Sequence, residues 1–175
     1  MRRKENLKMK KLVLIALMLL AFFPVFAETN LYIGPTVLTD TASKKLLYGA
    51  MLGGEWSFAE PEDKVKFTVS NSAALVLDGS NVTQYSLDLF VGAGVTFTPV
   101  KNLDISIIGG PNGYFTIGNS AFLMCFGAGV DAKVAYAISN PGLSFTLGGR
   151  AEYEFLFTSS NPFVLSAYLG IGYMF

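Results

Sequence analysis

The residues able to do chemistry in this 175-residue chain are a set of carboxylates and a few bases. It contains no histidine, which removes the usual general base for nucleophilic catalysis and the commonest transition-metal ligand. Its single cysteine, Cys125, can form no internal disulfide and reads as a small buried residue. What remains is Glu55, Lys66, Asp88, Asp104, Asp131, Lys133, Arg150, Glu152 and Glu154. No nucleophile stands beside a base in this set, so neither an enzyme nor a cofactor or metal site is expected. Gly92-Ala93-Gly94-Val95 and Gly127-Ala128-Gly129-Val130 look like half of a dinucleotide fingerprint, but that fingerprint needs a helix directly after it. Each lies instead inside an alternating run, where small residues leave space for neighbouring side chains.

The formal charge of zero mixes two parts. Arg2, Arg3, Lys4, Lys8, Lys10 and Lys11 crowd the start against Glu5. From Glu28 onward there are seven basic and twelve acidic residues, hence −5. No clustered Lys and Arg offer a nucleic-acid surface there. The basic start precedes the apolar run Leu12–Phe23, then Pro24 and Val25-Phe26-Ala27. That order predicts a cleavable signal peptide over 1–27, with the cut between Ala27 and Glu28. The apolar run is too short for the ~20 residues that span a bilayer as a helix. Met9 is a second plausible start. Residues 28–175 form one domain.

The charges are positioned by strands. Apolar residues alternate with small or polar ones at period two, the mark of a β-strand with two unlike faces. Phe163, Leu165, Ala167, Leu169, Ile171, Tyr173 and Phe175 form one face of the last strand, against Val164, Ser166, Tyr168, Gly170, Gly172 and Met174. Leu143 to Phe157 opposes a face carrying Arg150, Glu152 and Glu154; Phe122 to Ile138 opposes Cys125, Asp131 and Lys133; Tyr85 to Phe97 opposes Asp88. Val65, Phe67 and Val69 oppose Lys66, and Leu46 to Phe58 opposes Glu55. Weaker strands run around Leu31–Leu38 and Leu103–Gly110. Turn-forming residues mark breaks near Thr39–Lys45, Ala59–Asp63, Asp78–Thr83, Thr98–Asn102, Pro111–Ala121, Ser139–Gly142 and Thr158–Pro162. Pro111-Asn112-Gly113 either ends the fifth strand or is passed through towards Ile117.

Eight strands with this alternation predict an all-β, closed antiparallel up-and-down barrel. Its bulky face must point outward, because an eight-stranded interior has room only to be filled by side chains. With the N-terminus periplasmic, Trp56, Phe58, Phe97, Tyr136 and Tyr173 gather at the periplasmic end. Tyr48, Tyr85 and Tyr153 gather at the outer end. Two aromatic girdles around an aliphatic band are the mark of a transmembrane barrel. The charges then face inward and must be paired. A Glu60-Pro61 turn sets Glu55 opposite Lys66, and a tight Asn140-Pro141 turn sets Asp131 opposite or one step from Arg150.

Leu169, Ile171, Tyr173 and Phe175 together resemble the C-terminal signal that barrel-assembly machinery reads. With the signal peptide and eight strands, the chain resembles the small OmpA/OmpX/OmpW-type outer-membrane barrels over its mature length. It differs from OmpA in carrying no domain after Phe175, and from OmpX-like proteins in its short outer loops. The resemblance implies export, insertion in a bacterial outer membrane and a monomer in the lipid bilayer. Three roles are open: a structural or surface-contact barrel with a charged, filled lumen; a narrow channel for small solutes or apolar molecules; and an adhesin using Pro111–Ala121.

Overall fold

The computed structural model describes residues 28–41, 44–59, 63–78, 81–118, 121–139, 141–157 and 163–175. The expected signal peptide, with Ala27, lies outside the described residues. Eight strands follow: β1 (Glu28–Asp40), β2 (Lys45–Phe58), β3 (Val65–Asp78), β4 (Asn81–Val100), β5 (Leu103–Gly118), β6 (Ala121–Ala137), β7 (Gly142–Leu156) and β8 (Phe163–Met174). Each pairs with its sequence neighbour and β1 pairs antiparallel with β8, so the sheet closes into a barrel. Closure satisfies the backbone donors and acceptors that an open edge would leave bare. The rim holding Glu28 is called the near rim; the β1–β2, β3–β4, β5–β6 and β7–β8 connections lie at the far rim.

The fifth strand does not end at Pro111. Pro111 and Asn112 lie inside β5, which runs on to Gly118 and pairs with β6 throughout. Towards β4 the ladder skips Gly110 and Pro111, then resumes in the same register on both sides of them. The ladder between β1 and β8 skips Gly34 and Pro35 in the same way. Proline lacks the N–H that a ladder needs, yet both prolines point outward and cost only a local gap. The far-rim loop expected at Pro111–Ala121 therefore shrinks to residues 119–120.

The two faces separate as the alternation demands. Ile33, Leu52, Phe67, Val91, Ile107, Val130, Leu147 and Ile171 stand outward and exposed, while Glu55, Lys66, Asp88, Asp131, Lys133, Arg150, Glu152 and Glu154 are all buried inside. A belt of exposed aliphatic side chains this continuous is matched to hydrocarbon rather than water. The aromatic residues Phe97, Tyr136 and Tyr173 stand outward near the near rim, and Tyr48, Tyr85 and Tyr153 near the far rim. Phe58 also lies at the near rim but is half-buried. Trp56 departs from the exposed anchor expected of it: it is only 8% exposed. Its ring lies over the bare backbone of Gly54, where an added Cβ would come within 2.9 Å of Cη2.

Candidate functional site

The lumen is built from the inward half of every strand, and its near half, up to the Tyr32 ring, is a dense polar network. Lys133 on β6 reaches across the barrel to Glu55 on β2 at 3.1 Å and lies 3.6 Å from Asp131. It also donates to Ser70 Oγ at 2.9 Å and stands 5.6 Å from the centre of the Tyr32 ring. Glu55 Oε1 accepts from Ser106 at 2.5 Å and from Thr96 at 3.1 Å. Hydroxyls then continue the chain from Thr96 to Thr68 at 2.6 Å and from Thr68 to Ser57 at 3.0 Å. Asn30 receives the Ser144 hydroxyl at 2.8 Å and donates to Thr146. Serine and threonine are the right residues here: short enough for a narrow bore, and able both to donate and to accept.

The expected opposition of Glu55 and Lys66 does not occur. Glu55 faces Ser70, because β2 and β3 are joined by residues 59–64 and not by a two-residue turn at Glu60-Pro61. Lys66 bonds instead to Glu28 at the near rim. Asp104 accepts from Thr98 at 2.5 Å nearby. Asp131 and Arg150, by contrast, do face each other across the β6–β7 ladder.

At mid-height the bore is blocked by rings. Tyr32 and Tyr168 stack with centres 6.0 Å apart and planes 6° from parallel. Two glycines make the room: a Cβ on Gly53 would fall 2.3 Å from the Tyr32 ring, and one on Gly148 would fall 2.3 Å from the Tyr168 ring. The Tyr168 hydroxyl donates to both oxygens of Asp131, at 2.9 and 3.0 Å. Phe90, an inward aromatic that the alternation pattern left unassigned, lies under the Arg150 guanidinium at 4.3 Å. Above these rings Leu38, Leu47, Val76 and Val164 form an apolar cap at the far end, with Tyr114 packed against it.

The charges between rings and cap are less well served. Arg150 stands 3.4 Å from Asp88, 3.3 Å from Glu152 and 3.8 Å from Asp131, and also donates to Ser72. One guanidinium thus answers three carboxylates. Glu154 accepts from the Asn112 amide. Asp88 Oδ1, Glu152 Oε2, Glu154 Oε2, Asn112 Oδ1 and Arg150 Nε are buried without a hydrogen-bond partner among the described residues, as is the Tyr32 hydroxyl at mid-height. Among the described residues no group of three or more His, Cys, Asp or Glu side chains could hold a metal ion.

Sequence reasoning assigned the inward charges to one face but missed what closes the bore. Tyr32, Phe90, Leu38 and Val76 are large residues on a face expected to carry small ones. The available signal was local: a glycine on the next strand, such as Gly53 beside Tyr32, marks where a ring lies. Leu169, Ile171, Tyr173 and Phe175 stand together on the outward face at the near-rim end of β8, each exposed.

The chain matches no protein-family model, and no curated protein sequence matches it. Solved structures do share its fold. Ail, the attachment invasion locus protein of Yersinia pestis, aligns over 85% of this chain and 97% of its own, with a TM-score of 0.56 at 14% identity. Ail in complex with the heparin analogue sucrose octasulfate gives 0.58 at 17% identity, over 86% of this chain and 99% of its own. Neisserial surface protein A (NspA) gives 0.58 at 13% identity, over 85% of this chain and 97% of its own. Ail and NspA are small outer-membrane β-barrels. At such low identity the likeness is one of architecture. This chain has the closed eight-stranded antiparallel fold of the small outer-membrane β-barrels.

Proposed function

We propose that this chain is an integral, non-catalytic outer-membrane protein, exported by cleavage between Ala27 and Glu28, whose filled barrel serves a structural or surface-contact role. The near rim is then periplasmic and the far rim external. Leu169, Ile171, Tyr173 and Phe175 present the outward strand face that assembly machinery reads. The observation that carries the reading is the closure of the bore: the Tyr32–Tyr168 stack at mid-height and the Leu38–Val76 cap above it. A cavity of about 10 Å³ near Glu55 and Asn30 has room for about one water. The larger recess of about 430 Å³ around Lys66 and Asp104 opens at the periplasmic mouth.

Planar-bilayer recording of the processed protein, folded by the heat-shift of its gel mobility, tests this. Silence is expected. Steady openings that favour cations would instead support a narrow channel, a second reading motivated by the unpartnered oxygens of Asp88, Glu152 and Glu154. The attachment role that Ail's name carries has less to work with here. The external connections are short, and the cations at the external rim, among the described residues, are Lys44 and Lys45, the latter paired with Asp78 at 2.8 Å.

A further inference from the structure

One outward residue breaks the chemistry of the lipid-facing belt. Asn71 stands at the middle of β3, in the outward series Val65, Phe67, Val69, Asn71, Ala73, Leu75 and Leu77. At central heights every other described outward position, on all eight strands, carries an apolar side chain or glycine. The outward threonine Thr39 sits at the end of β1. Asn71 is half-buried, and none of the described side chains hydrogen-bonds to its amide. Its neighbours across the ladder are Gly54 on β2 and Val91 on β4, which have no side-chain donor or acceptor to give. The amide lies in a shallow recess of about 480 Å³ in the outer wall, floored by Gly54 and Ala73 and edged by Leu52, Leu89 and Trp56.

A primary amide at mid-bilayer needs a hydrogen-bond partner, because hydrocarbon offers none and water is scarce there. An acyl chain would fill the recess and still leave both the amide N–H₂ and its oxygen bare. A second membrane-embedded protein surface can supply that partner. A carboxamide is its own complement: two of them related by a two-fold axis exchange two N–H···O bonds. A short side chain can reach its counterpart only if the walls come close, and the missing side chain at Gly54 and the methyl of Ala73 allow that approach.

We propose that the β2–β3–β4 wall is a lateral interface between two copies of this barrel, paired through Asn71. The pairing replaces the monomer implied by the resemblance to OmpA-type barrels. It rests on the barrel lying in a membrane and is indifferent to whether the bore conducts.

Disulfide trapping in native membranes tests it, using the full chain with Cys125→Ser to leave a single thiol. Asn71→Cys should form a cross-linked homodimer on mild oxidation, while Val134→Cys, on the opposite wall, should not. Energy transfer between labelled wild-type copies in lipid vesicles should persist on dilution with lipid, and Asn71→Leu should weaken it at least tenfold with unchanged heat-shifted mobility. Equal cross-linking from both positions would show mere collision and overturn the proposal. So would capture of a different protein by Asn71→Cys, dimers that survive Asn71→Leu, or wild-type copies that remain monomeric at every lipid dilution. The dilution measurement needs no variant, so a folding failure in Asn71→Leu does not shelter the idea.

Discussion

The two halves of the lumen are made from similar residues and are wired differently. In the near-rim half every carboxylate oxygen of Glu55 has a donor: Lys133 on one side, Ser106 and Thr96 on the other. In the far-rim half Arg150 is shared among Asp88, Glu152 and Asp131, and one oxygen each of Asp88, Glu152, Glu154 and Asn112 has no partner among the described residues. Satisfied buried networks stiffen a core, whereas half-satisfied ones are costly. The rigid part of the bore is therefore the near-rim half and the compromised part the far-rim half.

Removing the shared cation should do the most damage. Arg150→Met leaves Asp88 and Glu152 buried without their cation, while Asp131 keeps Lys133 and Tyr168, and is expected to cost about 3–5 kcal/mol, read as a lower urea midpoint for the gel-mobility shift. Lys133→Met is expected to cost less, roughly 2–3 kcal/mol, because Glu55 keeps two hydroxyl donors and Asp131 keeps Tyr168. Equal losses from the two variants would erase the distinction between the halves. In the opposite direction, Glu154→Gln should stabilise the barrel by about 1–2 kcal/mol. The new amide can donate to Asn112 Oδ1 while still accepting from Asn112 Nδ2, satisfying an orphan and removing another. The same exchange in the near-rim half, Glu55→Gln, should destabilise, since it sets a neutral amide against Lys133. The smallest effect belongs to Thr68→Val, which breaks two hydroxyl links, to Ser57 and to Thr96, and should cost about 1 kcal/mol. Unfolding followed by Trp56 fluorescence measures both.

The comparison also shows what the chain's pattern discloses. Period-two alternation fixes which face each residue takes, so the inward charges and outward aromatics were legible throughout. The Asp131–Arg150 pairing was legible because residues 138–141 make a short connection. Glu55 and Lys66 were misaligned because six residues, 59–64, join their strands, and no local rule sets such a register. Pro111 read as a break because proline usually is one; here its missing N–H faces a gap in a single ladder. The plugging of the bore was invisible for a different reason. Tyr32, Tyr168 and Leu38 occupy inward positions whose consequence depends on which strands meet across the barrel, and alternation is silent about that. Asn71 is legible in the same way, as the polar residue two places after Val69 that interrupts the apolar face of β3.

The two skipped stretches of ladder have a mechanical meaning. Gly34-Pro35 lies at the β1–β8 seam and Gly110-Pro111 at the β4–β5 seam. In a ring of eight strands those seams are diametrically opposed. They divide the wall into two shells of four strands, β1–β4 and β5–β8, whose own ladders are irregular only towards the far rim, at Leu77/Asp78 and Phe126/Gly127. A hoop weakened at opposite points yields by becoming oval, so lateral pressure from the bilayer is taken up along one axis while each shell keeps its curvature.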